Sequence, residues 1–99
     1  MSVYMIIEIE IRDNELYSKY VEKVPEVIGK YGGRYLVRGG KVTPLSGSWK
    51  PERIIVIEFE TIEQLQKCFK STEYLELAPL REQSTISKSI VVDGYLPSG

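Results

Sequence analysis

The chain has 99 residues, a formal net charge of −1 and no histidine. This length suits one domain, which we expect to span residues 1–99. Basic and acidic residues alternate along the chain, which argues against a nucleic-acid-binding surface. Without histidine, the chain has no Ser-His or Cys-His nucleophile and no His-ligated metal. We therefore predict neither a metal site nor a cofactor.

The cysteine content and the apolar runs indicate the cellular compartment. Cys68 is the single cysteine, so no disulfide can form within the chain. The N-terminus lacks the layout of a signal peptide, and the apolar runs are far shorter than the ~20 residues of a membrane span. We expect a cytoplasmic protein without a membrane partner.

The first part of the chain predicts a strand and then a helix. Residues Val3 to Ile11 alternate, with only apolar side chains on one face. Asp13 lies where a helix N-cap belongs, and apolar residues continue at helical spacing to Tyr31. Pro25 predicts a kink or a break of this helix into two segments.

Two glycine pairs, Gly32-Gly33 and Gly39-Gly40, enclose the segment predicted as the second strand. Strict alternation places Arg34 and Arg38 on one face of this strand and Tyr35 on the other. The sequence therefore predicts two arginines side by side.

The next stretch predicts a loop and a central strand. Residues 43–51 are rich in proline, glycine and serine and contain Trp49, so we expect a loop. Arg53 to Glu60 has branched apolar residues on both faces, which is typical of a central strand.

The last third predicts more helix and a final strand. Thr61 and Gln64 have the spacing of a capping box and begin the second helix. Residues 71–83 indicate a further helical stretch interrupted at Pro79. Ile86 to Tyr95 indicates a strand, and residues 96–99 a loosely ordered tail.

This order of elements predicts an α+β, ferredoxin-like βαββαβ sandwich with a four-stranded antiparallel sheet and helices on one face. From right-handed crossovers we expect the first and third strands side by side at the centre, as the one parallel pair. The other sheet face would mix apolar side chains with glutamates and arginines. A second copy of the chain would cover it, so we predict a homodimer formed by sheet-to-sheet packing.

The chain also resembles a known family, the domain-of-unknown-function family 1330, along nearly its whole length. The resemblance rests on these residues: Asp13, Tyr17, Tyr20, Pro25, Tyr31-Gly32-Gly33-Arg34, Arg38-Gly39-Gly40, Gly47, Trp49, Pro51, Arg53, Phe59, Ser71, Glu73-Tyr74 and Arg81. It implies the dimeric α/β barrel superfamily, in which two ferredoxin-like protomers pack sheet to sheet.

The superfamily contains cofactor-free monooxygenases, lactone isomerases, haem enzymes and amino-acid-sensing modules, so the fold by itself selects no activity. This chain departs from the family pattern, with Cys68-Phe69 where the family has Trp-Tyr and Thr72 where it has proline. A reaction that requires that tyrosine hydroxyl would not be available to this member.

Arg34 and Arg38 are the first candidates for ligand binding, because a guanidinium in a partly apolar cleft can bind a planar anion through two hydrogen bonds. The alternative is that they neutralise Glu8, Glu10 or Glu58 across strands or across the dimer.

Four aromatic residues are further candidates for a ligand pocket, since aromatic faces supply apolar area and hydroxyls supply orientation. They are Tyr17, Tyr20, Tyr35 and Trp49. The alternative role is core packing for the tyrosines and a dimer contact for Trp49. Glu8 and Glu58 are possible acid/base groups if burial raises their pKa, whereas pairing with arginine would lower it.

The leading hypothesis is a cytoplasmic homodimer that binds a small, partly apolar, anionic ligand in a cleft between sheet and helices. The first alternative is a cofactor-independent oxygenase or isomerase that acts on a small aromatic or carboxylate substrate. The second is a structural or regulatory dimer without a ligand. Sequence patterns identify neither a catalytic residue nor the ligand, and they leave open whether the protein is an enzyme.

Overall fold

The computed structural model describes residues 2–96, so most of the predicted tail, residues 97–99, lies outside the described residues. Seven elements follow one another along the chain. They are β1 (Val3–Ile11), α1 (Asn14–Lys30), β2 (Arg34–Arg38), β3 (Arg53–Phe59), α2 (Ile62–Phe69), α3 (Thr72–Ser84) and β4 (Thr85–Asp93). The βαββαβ order and the ferredoxin-like fold are confirmed, with two consecutive helices in the second crossover.

The four strands form one sheet in the order β2-β3-β1-β4, and every neighbouring pair is antiparallel. The first and third strands are the central pair as predicted, but the prediction that they are parallel is wrong. Each crossover through helices joins two parallel strands that are not neighbours, β1 with β2 and β3 with β4. The connection between β2 and β3 reverses the chain, so β3 enters between β2 and β1 in the opposite direction.

Helix α1 begins at the predicted cap, where the Asp13 carboxylate accepts a hydrogen bond from the backbone N–H of Leu16. It then runs through Pro25 as one helix, so of the predicted kink or break, the break into two segments is wrong. Proline has no N–H, which leaves the carbonyl of Val21, four residues earlier, without its helical partner. The Arg38 guanidinium donates to that carbonyl at 2.7 Å and replaces the missing bond.

A β-bulge changes the faces of β2. Tyr35 pairs with Ile57 and Val37 with Val56, so Leu36 is an extra residue with no partner on β3. Side chains after the bulge therefore point to the face opposite to the one that simple alternation predicts. Arg34 and Arg38 lie on opposite faces of the sheet, and the prediction of two arginines side by side is wrong.

The turn between α1 and β2 requires both of its glycines. Gly32 has a φ of +83°, a conformation that glycine adopts without strain. A Cβ on Gly33 would lie 2.6 Å from Ile28 and 2.8 Å from the Phe59 ring. Close packing of β2 against the core therefore depends on glycine at this position.

Helices α2 and α3 begin at hydroxyl caps. Thr61 accepts from the N–H of Gln64, as the predicted capping box requires, and Ser71 accepts from the N–H of Tyr74. Helix α3 continues through Pro79, so the predicted interruption there is wrong.

One face of the sheet packs against the helices and the other is open. Ile9, Ile55, Ile57 and Phe59 point towards the helices and are buried in the core. The open face presents Tyr4, Ile6, Glu8, Ile54, Val56 and Glu58 together with Ile86, Lys88, Ile90 and Val92 of β4, which follows from the pairing register. No helix within residues 2–96 is long and apolar enough to cross a membrane.

Candidate functional site

A cavity of about 350 Å³ lies between the helices and the helix-facing side of the sheet. Its floor is aliphatic, because alternation in β1 and β3 directs one face of each strand towards the helices. The floor residues are Met5, Ile7, Ile9, Ile55 and Ile57. The volume is near the lower end of the roughly 300–1,000 Å³ that ligand pockets occupy, so the cavity suits a small molecule.

The roof of the cavity is aromatic and comes from the three helices. Tyr17 and Tyr20 belong to α1, Phe69 to α2 and Tyr74 to α3. The rings of Phe69 and Tyr74 meet edge to face at 4.6 Å, and those of Tyr20 and Tyr74 at 6.4 Å. Edge-to-face packing of this kind is favourable, and it joins the rings into one aromatic surface.

Two tyrosine hydroxyls in the cavity wall are joined by a hydrogen bond, with 2.9 Å between the oxygens of Tyr20 and Tyr74. Burial raises the pKa of Tyr20 far above its ordinary value. Burial also raises the pKa of Tyr35, to about 12, although the nearby Arg38 opposes the shift. The hydroxyls of Tyr20 and Tyr35 stay protonated near neutral pH, so they can donate hydrogen bonds but cannot act as bases.

Three arginines line the cavity, against a single glutamate, Glu82. Arg38 lies at the mouth, with its guanidinium 5.0 Å from the centre of the Tyr35 ring and hydrogen-bonded to Val21. Arg53 donates from Nε to the Tyr17 hydroxyl at 3.1 Å. The excess of cationic side chains favours an anionic ligand.

Arg53 occupies its position because Gly39 has no side chain. A Cβ on Gly39 would lie 1.9 Å from an Arg53 guanidinium nitrogen, and Gly39 has a φ of +74°. The guanidinium is therefore held between the backbone at Gly39 and the Tyr17 ring, 5.6 Å from the ring centre. The second of the predicted glycine pairs thus shapes the wall of the cavity.

The third arginine of the cavity is Arg81, which belongs to α3. Its Nη1 donates to the Ser87 hydroxyl at 2.9 Å, and Nη2 is 3.9 Å from the Glu82 carboxylate. Within residues 2–96, its Nε is the one buried side-chain nitrogen or oxygen atom without a hydrogen-bond partner. A buried donor without a partner is costly, which marks this guanidinium as unusual.

The structure brings together part of the predicted site. Tyr17, Tyr20, Tyr35 and Arg38 line the cavity. The other four predicted site residues do not line it: Arg34, Trp49, Glu8 and Glu58. The ligand and acid/base roles given to all eight stay predictions.

Those four residues form contacts on the open face of the sheet instead. Arg34 pairs with Glu58, which also accepts a hydrogen bond from the Tyr4 hydroxyl at 3.2 Å. Hydrogen bonds from Ser2, Arg34 and Tyr4 lower the pKa of Glu58, so it remains an anion. Glu8 accepts from the Trp49 indole N–H at 3.1 Å. These contacts agree with the alternative in which arginine and glutamate neutralise each other.

Sequence patterns did not single out Arg53, Phe69, Tyr74 or Arg81 as site residues, although all four line the cavity. A signal was present for two of them: Tyr74, Ala78 and Arg81 are spaced four and three residues apart, which places them on one face of a helix. Within residues 2–96, no group of three or more cysteine, aspartate or glutamate residues is arranged to hold a metal ion.

Several solved structures share this fold. A protein of unknown function from Rhodopseudomonas palustris, RPA0582, is 17% identical, with a TM-score of 0.80 over 97% of this chain and 84% of that one. SnoaB, a cofactor-independent oxygenase from Streptomyces nogalater, is 9% identical, with a TM-score of 0.68 over 96% and 94%. A dimeric protein of unknown function and ferredoxin-like fold from Bacteroides fragilis is 13% identical, with a TM-score of 0.62 over 94% and 96%.

These identities are low, so the similarity shows the fold alone. Comparison with curated proteins gives no match. The model of one protein family, described as Domain of unknown function (DUF1330), matches residues 2–95, which is nearly the whole chain. This agrees with the resemblance noted from Tyr31-Gly32-Gly33-Arg34 and the other sequence motifs. The chain is therefore a member of the DUF1330 family.

Proposed function

We propose that this protein binds a small, partly apolar, anionic molecule in the cavity between the sheet and the helices. The observation that supports this proposal is the cavity of about 350 Å³, with an aliphatic floor, an aromatic roof and three arginines. An apolar enclosure with a few fixed polar groups is the usual form of a small-molecule site. The anion contact belongs to the arginines of the cavity, whereas Arg34 is paired with Glu58 on the other face.

A thermal-shift screen against small carboxylates, quinones and phenolics tests this proposal. We expect one chemical class to raise the melting temperature by several degrees, because binding to the native state stabilises it by mass action. Ala78→Met places a longer side chain into the cavity and should abolish the shift. Arg34→Gln, a change of similar type outside the cavity, should leave it intact.

Two results would contradict the proposal. One is the absence of a shift for every class, and the other is an undiminished shift in folded Ala78→Met protein. Far-ultraviolet circular dichroism of each variant checks that the fold is retained. Arg38→Gln is less suitable as the decisive variant, because Arg38 also holds the Val21 carbonyl.

We also propose that the protein is a cytoplasmic homodimer, formed through the open face of the sheet. Ile86, Ile90 and Val92 of β4 are exposed on this face. Charges of both signs accompany them, since Arg34 pairs with Glu58 and Lys88 lies 3.9 Å from Glu8. Apolar rows with interspersed ion pairs are suited to a self-complementary interface. The neighbour from Bacteroides fragilis is described as dimeric, which supports a dimer.

A cofactor-independent oxygenase or isomerase is the second candidate function. The observation that favours it is the hydrogen-bonded pair of Tyr20 and Tyr74, because a protonated phenol in a cavity can donate to an oxygen that becomes negative during reaction. Oxygen uptake and product formation with the phenolic compounds that bind would test it. We expect Tyr74→Phe to lower turnover while retaining binding. Wild-type protein that binds a phenol and leaves it unchanged under air would exclude oxygenation of that phenol.

A further inference from the structure

Each of the three arginines of the cavity donates one side-chain hydrogen bond within residues 2–96, but the rest of its surroundings differs. The Arg38 guanidinium contacts the Val21 carbonyl and the Tyr35 ring, so its position is set by the helix. The Arg53 Nε donates to Tyr17, and its guanidinium fits against Gly39. Both are already part of the cavity wall. Of the three, Arg81 is the one with a buried nitrogen that lacks a hydrogen-bond partner among residues 2–96.

The free donors of Arg81 lie along one edge of its guanidinium. Nη1 donates to Ser87, whereas Nε has no partner among residues 2–96 and Nη2 is beyond hydrogen-bond distance from Glu82. Nε and Nη2 project in parallel from the same edge. That edge matches the two oxygens of a planar carboxylate, which accept two parallel hydrogen bonds.

Two side chains have to move before an anion can reach the Nε and Nη2 edge of Arg81. The Glu82 side chain is 65% exposed and 3.9 Å from Nη2, so it can turn into solvent when another carboxylate takes its place. The Arg81 side chain is 28% exposed and has one short contact, to Ser87. Because Nε is buried, binding has to shift this side chain slightly towards the cavity.

The surroundings of Arg81 also indicate what the rest of the ligand is. Tyr74, Ala78 and Arg81 lie on one face of α3, and all three line the cavity. Phe69 and Tyr20 extend the same surface through edge-to-face contacts with Tyr74. A flat ring attached to the carboxylate would pack on this aromatic surface opposite the aliphatic floor.

We infer that Arg81 is the anion anchor of the cavity and that the ligand is an aryl carboxylate. Its carboxylate binds the Nε and Nη2 edge, and its ring lies between the aromatic roof and the aliphatic floor. This inference depends on the proposed binding function, of which it names the ligand class and the contact residue. Glu82 is the internal competitor for the same guanidinium edge.

Calorimetric titration of the full chain with benzoate and naphthoate tests the inference, with benzamide and naphthamide as neutral molecules of matched shape. We expect the acids to bind wild-type protein at least about tenfold more tightly than the amides. Arg81→Lys keeps the charge but loses the two-donor edge, so it should remove most of this preference. Glu82→Gln should raise the affinity for the acids several-fold and leave that for the amides unchanged.

Each failure has a distinct meaning. Equal binding of acids and amides to wild-type protein would overturn Arg81 as the anchor and leave the cavity as a neutral site. If another chemical class stabilises the protein while the aryl carboxylates do not bind, the ligand class is wrong. The absence of any stabilising class would overturn the binding function itself. Should Arg81→Lys fail to fold, Glu82→Gln decides, because its exposed side chain is not needed for packing.

Discussion

At the residue scale, single atoms decide whether the elements fit together. Position 33 has no room for a side chain, because a methyl group there would overlap the Ile28 side chain and the Phe59 ring. Phe59 is fully buried in the core and cannot move aside without opening a gap. Gly29, four residues earlier in α1, has open space where its Cβ would be. A side chain is therefore excluded at Gly33 and fits without a clash at Gly29.

We predict that Gly33→Ala destabilises the protein by about 1–3 kcal/mol, as overpacking of a core usually does. Gly29→Ala is the matched control and should stabilise by roughly 0.5–1 kcal/mol, since alanine is the better helix former and meets no neighbour. Urea unfolding of both variants measures the two effects. Similar stability of Gly33→Ala and wild type would show that the β2 turn can shift away from the core.

At the element scale, the α1 helix contains a proline because another element supplies the missing hydrogen bond. Pro25 leaves the Val21 carbonyl free, and Arg38 from β2 donates to it at 2.7 Å. The same contact places Arg38 at the mouth of the cavity. The Arg38 side chain therefore both accommodates Pro25 in the helix and forms part of the cavity.

We predict an energetic coupling between Arg38 and Pro25. Arg38→Met should cost about 0.5–1.5 kcal/mol in the wild-type background, because it removes the hydrogen bond to the Val21 carbonyl. In a Pro25→Ala background, the restored backbone N–H bonds that carbonyl, so the same substitution should cost less. A double-mutant cycle from urea unfolding gives the coupling energy. Equal costs in both backgrounds would mean that the contact has no part in helix stability.

A second contact at this scale ties the end of α1 to the start of α3. Glu73 accepts from Lys30 and from the Tyr31 hydroxyl. The hydrogen bond from Lys30, followed by those from its own backbone and from Tyr31, lowers the pKa of Glu73 from 4.5 to about 2. A lowered folded-state pKa adds stability above the unfolded value, and that stability disappears as the pH falls towards the folded value.

We therefore predict that wild-type protein loses stability between pH 4.5 and about pH 2 partly through Glu73. Glu73→Gln should flatten the stability curve in that interval, because glutamine does not titrate. Urea midpoints across the acid range measure the slope for both proteins. Glu76→Gln, on the same helix but exposed, is the control and should leave the slope unchanged. Parallel curves of stability against pH for Glu73→Gln and wild type would show that the contacts of Glu73 do not contribute to acid stability.

At the scale of the whole molecule, the sheet has one face covered by helices and one face open. Neighbouring residues of β4 illustrate the difference. Ile90 pairs with Ile6 on the open face, whereas Val91 pairs with Met5, which lines the cavity on the helix side. Ile90 is 59% exposed and Val91 43% exposed, so each can be changed with little effect on the fold of one protomer.

We predict that Ile90→Lys converts the proposed dimer into monomers, because the added charge replaces an apolar contact and is buried without a partner. Val91→Lys introduces the same charge one residue away and should leave the assembly intact. Sedimentation equilibrium over a range of concentrations distinguishes the two states. A wild-type protein that remains monomeric at every concentration would remove the basis for a sheet-to-sheet dimer.

Local rules were sufficient for most of the fold. The bounds of β1, the caps at Asp13 and Thr61 and the turn at Gly32-Gly33 depend on neighbouring residues only, and all appear in the structure. Alternation also assigned the core faces of β1 and β3, because these strands have no bulge within them. Of the aromatic residues predicted for a ligand pocket, Tyr17, Tyr20 and Tyr35 line the cavity.

The rest depended on contacts between elements that are distant in sequence. The bulge in β2 exists only in its pairing with β3, so no pattern within residues 34–38 reveals that Arg34 and Arg38 point to opposite faces. Pro25 is accommodated because Arg38 reaches its helix from another element. The sequence by itself thus determined the elements, their order and most of their faces. Only the tertiary structure decided which arginines share the cavity, because strand register and side-chain partners are set by packing across the whole fold.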